Sequence, residues 1–310
     1  MSEIIAAALK VAVTGANGFV GSAITMQLVA AGATVKALHG PGPAAEFQHK
    51  YCTVLRGDIS DESILHELLD STDVVIHVAG PPSVAASFER PADAVRIHVA
   101  GTASLLQASV RCGVRRVVYI SSAEVYGCPE TDFVREDHPL RPRSPYAAAK
   151  IGAEKLLEVY GLAFGMETLI LRPFSVYGPG ASPASVVSRV VALARQNAPM
   201  VLNELRPVRD FCFVGDVARA AVIGCTASCA QAVFNIGTMQ PTSILDLAQM
   251  ALAVADSRER TLESSETDRP FQSQIMRLVS DNRHAREALQ WQPIWSLEDG
   301  LRCMLRDPKQ

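Results

Sequence analysis

The amino-acid sequence predicts an α/β fold: a doubly wound parallel sheet, followed by a smaller, mostly helical C-terminal region. Three observations carry this. Short apolar runs alternate with helix-period segments through the first half of the chain. The runs are apolar throughout rather than alternating, as in strands covered on both faces. The first of them, Val11-Ala12-Val13-Thr14, opens into a turn with glycines at 15, 18 and 21. A helical pattern follows at once, with Val20, Ile24, Leu28 and Ala31 on one face.

Taken in order, Lys10–Thr14 reads as the first strand and Thr34–Leu38 as the second, with Gly32 ending the helix between them. Val54–Arg56 is a short third strand. Ser60 or Asp61 caps a helix running to about Leu69. Val74–Val78 is a continuous apolar strand ending in Ala79-Gly80. Pro91–Cys112 reads as one long helix, Arg116–Ile120 as the fifth strand, and Pro145–Phe164 as a helix with proline in its first turn. Thr168–Leu171 is the sixth strand. After Tyr177-Gly178-Pro179-Gly180 the alternation loosens: Arg206–Phe213 precedes a helix at Asp216–Cys225, Val233–Ile236 is one more strand, and Ser243–Val254 a helix. The charged stretch Asp256–Asp268 reads as a loop, and Trp291 and Trp295 are expected to pack down the tail. The expected division is residues 1–174 for the doubly wound domain and 175–310 for the second region, with about 211–238 returning to the first.

Composition excludes several classes. The chain is 48% hydrophobic and 20% charged, ordinary for a globular protein. A net charge of -3 gives no electrostatic basis for nucleic-acid binding. No apolar run reaches membrane-span length. Ile4–Leu9 lacks a basic lead and is not read as a signal peptide, so the cytoplasm is the expected location. Cys225 and Cys229 are i,i+4 on a predicted helix without nearby histidines, so packing is expected there and no metal.

The glycine turn is the first chemical signal. A strand, a tight turn and a helix N-terminus present free N–H groups and a positive dipole end to an anion. Gly15 permits the turn, Gly18 leaves room for a pyrophosphate, and Gly21 lets helix and strand pack closely. A dinucleotide is the expected occupant. The second signal is Ser144-Pro145-Tyr146-Ala147-Ala148-Ala149-Lys150, where Tyr146 and Lys150 share a helix face. A tyrosine beside an ammonium has its phenolate favoured, which suits acid–base work; an incidental pair on an amphipathic helix is the alternative. The third is Ser121-Ser122-Ala123-Glu124-Val125-Tyr126-Gly127, at the carboxyl end of the fifth strand, where open α/β sheets place their ligands.

With these motifs the chain resembles the extended short-chain dehydrogenase/reductase superfamily, in its NAD-dependent epimerase/dehydratase branch. Further marks are Gly57-Asp58-Ile59, His77-Val-Ala-Gly80, Gly101-Thr102, Arg172-Pro-Phe-Ser-Val-Tyr-Gly-Pro179, Arg209-Asp-Phe211 with Asp216-Val217, and Trp291-Gln-Pro-Ile-Trp-Ser-Leu-Glu-Asp-Gly-Leu301. The resemblance implies a Rossmann fold and NAD, with NADP possible. It implies that Gly15, Asn17, Gly18, Phe19, Val20 and Gly21 hold the pyrophosphate, that Asp58 and Ile59 meet the adenine, and that Ala79, Gly80 and Ser121 line the cofactor. Pro173 and Ser175 would lie by the nicotinamide. Tyr146 would be the acid/base, Lys150 its partner and a ribose ligand, and Ser122 a ligand of the reacting hydroxyl. Ser83, Ser122, Glu124, Ser175 and Arg209 would face a nucleotide-sugar substrate, Arg209 through its diphosphate. The alternative for Arg209 is a surface salt bridge with Asp210 or Asp216.

Four departures bear on function. The second strand ends in Leu38-His39-Gly40-Pro41 with neither the acid typical for NAD nor the arginine typical for NADP. His98 stands where asparagine is usual, as a core histidine or as part of the site. Ser175 replaces a frequent asparagine. Glu124 matches the catalytic glutamate of dehydratases while Ala123 lacks the neighbouring acid, so Glu124 is either functional or a solvated loop charge. The expected function is C4 epimerisation of a nucleoside-diphosphate sugar through a 4-keto intermediate. The alternatives are a 4,6-dehydratase using Glu124, an NADPH-dependent keto-sugar reductase, and a non-catalytic dinucleotide sensor. A homodimer is expected, its four-helix bundle formed by Pro91–Cys112 and Pro145–Phe164 with Val95, Val99, Leu106 and Leu157 in contact.

Overall fold

The computed structural model describes residues 9–40, 50–196, 199–229, 231–256, 262–264 and 274–306. Six strands follow the apolar runs: β1 Lys10–Thr14, β2 Thr34–His39, β3 Cys52–Arg56, β4 Val74–His77, β5 Arg116–Ile120 and β6 Glu167–Pro173. They form one sheet with a seventh strand, Ala232–Ile236, in the order Ala232–Ile236, β6, β5, β4, β1, β2, β3. Every pairing is parallel. The order reverses beside β1, which is where a doubly wound sheet opens a crevice at its carboxyl edge.

Aliphatic side chains hold both faces. Val11, Val13, Ile76, Val118 and Leu171 pack under helices Phe19–Ala30 and Val214–Gly224 on one side. Val75, Val117, Ile170 and the Tyr119 ring pack under Glu62–Leu69, Thr102–Arg111 and Pro145–Phe164 on the other. Local signals start and stop these helices. The Asp61 carboxylate caps Ser63 and Ile64. Ser144 caps Ala147 ahead of Pro145, and Gly165, at φ +67, ends that helix in the left-handed region.

The chain from Pro91 to Arg111 is not one α-helix, as the sequence reading had it. It runs as Pro91–Val95, a π-helical stretch Arg96–Gly101, and Thr102–Arg111. Gly101 abuts Ile59, and the Thr102 hydroxyl bonds back to the His98 carbonyl at 2.5 Å. The widened turn buries the His98 side chain. Leu106 and Leu157 are also fully buried, in the core of the single chain, so neither supplies intersubunit contact. Val99 packs towards Gly152, while Val95 stays exposed.

After residue 175 helices make up most of the regular structure, at Val186–Ala194, Val214–Gly224, Ile244–Val254, Arg283–Ala288 and Leu297–Arg306, with short strands between them. Two- and three-residue strands join Thr242–Ser243, Val208–Arg209 and Arg277–Leu278 into one small sheet. Leu262–Ser264 pairs with Met200–Leu202, so part of the expected 256–268 loop is a strand; residues 257–261 and 265–273 lie outside the described residues. So do residues 41–49 after β2. Trp291 is fully buried and its indole N–H donates to the Asp216 carbonyl at 3.0 Å, while Trp295 stacks on Phe213 at 4.2 Å. Among the described residues, no helix is long and apolar enough to cross a membrane, and no group of three or more metal-binding side chains is placed to hold an ion.

Candidate active site

The glycine turn has the geometry its spacing implies. Gly15 sits at φ +66, and a Cβ there would lie 2.8 Å from the Ala79 Cα. A Cβ on Gly21 would overlap the Gly15 carbonyl oxygen, so the helix starts in contact with the turn. Gly18 differs. It is the N-cap of Phe19–Ala30, and a Cβ there would meet one described atom within 4 Å, the Gly15 oxygen at 3.2 Å. The turn therefore keeps open the space ahead of a helix N-terminus, a cradle that a phosphate fits and a side chain would fill. Asn17 points elsewhere: its Oδ1 accepts from the Gly40 N–H at 3.2 Å, tying the turn to the end of β2. Asp58 is exposed and its Oδ1 accepts from the Ser60 N–H and hydroxyl, which hold it below the usual carboxylate range. Ile59 is buried against Gly101.

A chain of hydroxyl and imidazole groups fixes the end of β4. The Thr102 hydroxyl donates to the His98 carbonyl, so it accepts from His77 Nε2 at 2.9 Å. His77 Nδ1 is then the acceptor for the Thr14 hydroxyl at 2.7 Å, and Thr14 Oγ1 accepts from the N–H groups of Val78 and Ala79, both at 3.2 Å. Burial keeps His77 neutral by pushing its pKa far down, with help from the Lys150 charge. The result is a rigid Val78-Ala79 backbone against Gly15.

His98 completes this wall. Its ring lies over Gly80, where any Cβ would collide with it, and packs edge-on to the Tyr146 ring at 5.3 Å. Nε2 donates to the Pro81 carbonyl at 3.1 Å. Nδ1 is buried with no hydrogen-bond partner among the described residues. Burial, then the Lys150 charge, lowers its pKa to about 3, so the ring is neutral. His98 is thus a buried histidine with one ring nitrogen unpartnered among the described residues, packed against Gly80 and Tyr146.

The candidate residues Ser121, Ser122, Tyr146 and Lys150 are brought together by the end of β5 and the helix Pro145–Phe164. Lys150 Nζ donates to the Ile120 carbonyl at 2.8 Å, the Ser121 hydroxyl donates to Glu154 Oε1 at 2.5 Å, and Ser122 hydrogen-bonds the Tyr146 hydroxyl. Three consecutive residues of the strand end are held by three successive turns of one helix face. The electrostatics differ from the expectation of a favoured phenolate. Burial dominates: it pushes Tyr146 up to about 12 against the Ser122 hydrogen bond, with the Glu124 charge adding to the rise. It pulls Lys150 down to about 7, Glu154 resisting. The ammonium lies 5.9 Å from the Tyr146 ring centre and nearer to the Tyr119 face, 4.7 Å away. In this arrangement burial keeps the Tyr146 hydroxyl protonated.

Glu124 sits half-buried on the 3₁₀ turn Ala123–Tyr126, with its N–H donating to Ser122 Oγ at 3.2 Å. Its charge adds to the upward shift of Tyr146. Ser121 is taken up by Glu154. Ser175 is half-buried at the start of the second region, after buried Pro173. Ser83 is exposed, and its hydroxyl caps the helix Val84–Glu89. Phe19 and Val20, half-buried at the start of Phe19–Ala30, pack against the second region's core. Arg209 lies on a short strand, donating to the Val208 carbonyl at 3.0 Å. The two acids proposed as its surface partners serve other groups. Asp210 accepts from Thr238, Met239 and Ser280, and Asp216 from Arg219, Ile294 and Trp295.

Sequence reasoning missed the groups beneath the site. Glu154 is fully buried against the Arg172 fork, with Nη2 to Oε2 at 2.6 Å and Nε to Oε1 at 3.0 Å. Arg172 also donates to the Tyr126 hydroxyl at 2.9 Å, which donates to Asn235 Oδ1 at 2.6 Å. The i, i+4, i+8 spacing of Tyr146, Lys150 and Glu154 was the available signal.

The profile of the NAD dependent epimerase/dehydratase family matches residues 11–237. A UDP-glucose 4-epimerase of Mycolicibacterium smegmatis is 32% identical over 306 residues, covering 94% of this chain and 96% of its own. A GDP-6-deoxy-D-mannose reductase of Pseudomonas aeruginosa is 31% identical over 307 residues, covering 95% of each. Among solved structures, a UDP-glucose 4-epimerase of Thermotoga maritima with UDP-glucose superposes with a TM-score of 0.87 at 27% identity, covering 96% of this chain and 97% of its own. The likeness spans nearly the whole length of this chain and of these proteins. This chain belongs to the NAD dependent epimerase/dehydratase family, within the extended short-chain dehydrogenase/reductase superfamily.

Proposed function

We propose that the protein is an NAD-dependent C4 epimerase of a nucleoside-diphosphate sugar, with Tyr146 as its acid/base. The carrying observation is the strand end Ile120-Ser121-Ser122 pinned to Lys150, Glu154 and Tyr146, which sets two hydroxyls side by side at the carboxyl edge of the sheet. The turn Gly15–Gly21 holds the pyrophosphate, Gly80 and His98 wall the cofactor, and Lys150 holds its ribose. Arg209 holds the sugar diphosphate. When bound, NAD supplies a hydride acceptor, a hydride donor for the return step, and a positive ring that favours the phenolate. Tyr146 takes the proton of the C4 hydroxyl while Ser122 hydrogen-bonds the same oxygen. The 4-keto sugar turns in the site, and Tyr146 returns the proton to the oxygen on the new face.

Elimination is the second reading, because half-buried Glu124 is electrostatically linked to Tyr146. It needs a base at C5 and an acid for the leaving hydroxyl. Ala123 has no proton to give, and Tyr146 is committed to the C4 oxygen, so epimerisation is favoured, with Glu124 on a sugar hydroxyl. A one-way NADPH reduction would instead release its cofactor every turnover. The test is to incubate the protein with UDP-glucose and NAD in deuterated water. Inversion at C4 without deuterium at C5 is expected. Deuterium at C5 together with an inactive Glu124→Gln variant would replace the epimerase reading with elimination.

The reading includes a homodimer through the exposed faces of Pro91–Val95 and Pro145–Phe164, where Val95 is 53%, Val159 55% and Leu162 78% exposed. Sedimentation at micromolar concentration should give a dimer that Leu162→Glu weakens.

A further inference from the structure

The glycine cradle is fastened to the end of β2. The Ala16 N–H donates to the Leu38 carbonyl at 3.1 Å, and the Gly40 N–H to Asn17 Oδ1 at 3.2 Å. The end of β2 is joined in turn to the end of β3, where the Gly57 N–H donates to the His39 carbonyl at 3.1 Å. An adenosine attached to a phosphate in the cradle would lie across these two strand ends, its ribose at β2 and its base towards Gly57-Asp58. At the ribose position, about 20 residues beyond the glycine turn, an acid that binds the 2′ hydroxyl also repels a phosphate there. In this chain the end of β2 holds His39 instead.

His39 brings no negative charge. It is buried, and its Nδ1 has no hydrogen-bond partner among the described residues. The charged group beside it is a cation. His39 and Arg56 are register partners in the parallel pairing of β2 and β3, so their side chains leave the same face of the sheet. That face is the one under the helix that opens from the cradle. Val35 and Ala37 of β2 and Cys52 and Val54 of β3 belong to the core formed with Ile24 and Leu28 of Phe19–Ala30. His39 and Arg56 continue these two alternations by one step, to the carboxyl edge. Arg56 is exposed, and among the described residues its guanidinium makes no hydrogen bond or ion pair. The Asp58 carboxylate, two residues on, accepts from Ser60 and stands 3.8 Å from Arg96, so the edge as a whole is not acidic.

We propose that Arg56 is a specificity-determining residue of the dinucleotide site: with His39 in place of an acid, the site accepts NADP in addition to NAD, and Arg56 holds the 2′-phosphate. A guanidinium fork matches a phosphate in shape and charge. The missing carboxylate removes the group that would turn that phosphate away. The proposal rests on the reading of Gly15–Gly21 as the dinucleotide cradle and asks nothing of the sugar chemistry.

The test is binding rather than turnover. NADH and NADPH are titrated separately into the protein and followed by nicotinamide fluorescence, with circular dichroism as the check on folding. In the unaltered protein NADPH should bind within about tenfold of NADH. Arg56→Gln should weaken NADPH by about tenfold or more while changing NADH by less than about threefold. Arg56→Lys, which keeps the charge but not the fork, should recover part of the loss. His39→Asp, which restores an acid, should weaken NADPH relative to NADH. NADPH binding more than about tenfold weaker than NADH in the unaltered protein would overturn the proposal. So would equal losses of both dinucleotides in folded Arg56→Gln, which would make Arg56 a general support of the site. NADH binding without NADPH binding ends this inference alone, whereas binding of neither would sink the cradle reading beneath it.

Discussion

The two halves of the molecule are held together by different forces. In the nucleotide half, a seven-stranded sheet buries continuous apolar runs on both faces. In the second region the strands are two or three residues long and pair too few backbone groups to stand alone. Buried carboxylates replace the missing ladders. Asp210, 0% exposed, accepts from the N–H groups of Thr238, Met239 and Ser280 and from two hydroxyls. Asp216, also 0% exposed, caps the backbone of Ile294 and Trp295 and pairs with Arg219. An apolar half should fail by loss of space or shape, and a carboxylate-centred half by loss of a single acceptor.

The largest effect is expected where space itself is the function. Gly18→Val should remove measurable NAD binding in fluorescence titration while the circular dichroism spectrum stays native, because the new side chain enters the open cradle and not the core. Retained NAD affinity would show that the cradle is not where the phosphate lies.

Asp210→Ala should cost about 3–5 kcal/mol in denaturant unfolding, since it leaves several buried donors without an acceptor. If the halves are as separable as their construction suggests, NAD binding survives in the folded fraction. A parallel loss of NAD binding would show one cooperative unit and break the comparison.

Tyr146→Phe keeps the ring against His98 and removes the proton. Turnover should fall by about 10²-fold or more, equivalent to about 2.7 kcal/mol, with NAD affinity little changed. An undiminished rate would remove Tyr146 from the chemistry.

The last effect is confined to acid pH and is absent at neutrality. The folded His98 pKa is about 3, against 6.5 for the free group. Below pH 6.5 the unfolded chain takes up a proton that the folded one refuses. Stability is therefore lost as pH falls from 6.5 towards 3, at up to about 1.4 kcal/mol per pH unit for this group. His77 contributes in the same direction. His98→Asn should flatten the acid side of a stability-versus-pH curve by one group's share. An unchanged slope would mean that His98 is exposed or charged in the folded protein.

Most of the nucleotide half was legible in the sequence, because its information is local. Periodicity marks β1 to β6, caps such as Asp61 and Ser144 mark helix starts, and the glycine spacing at 15, 18 and 21 encodes a turn whose three positions tolerate a side chain very differently. The Tyr146–Lys150 face was legible for the same reason: four residues of helix bring two side chains together wherever the helix goes. The electrostatics were not. A phenolate stabilised by its neighbour is what sequence spacing suggests, yet Tyr146 stands near 12 because desolvation depends on everything packed around it.

What only the tertiary structure decided are the contacts between distant parts of the chain. Tyr126 meets Asn235, Glu136 meets the Asn235 backbone, and Asp210 meets Ser280 through hydrogen bonds that no local pattern announces. The return of about 211–238 to the first half was expected from the sequence, but its place in the sheet, with Ala232–Ile236 parallel to β6, was not. The π-helical turn that buries His98 arises where Thr102 bonds back to the His98 carbonyl and Gly101 meets Ile59 from another element. By itself the sequence determined the order of strands and helices, the glycine cradle and the reactive helix face, since these depend on residues a few positions apart. Burial, counter-charges and the partners of every inward-facing acid waited for the fold, because they depend on which distant segments displace water.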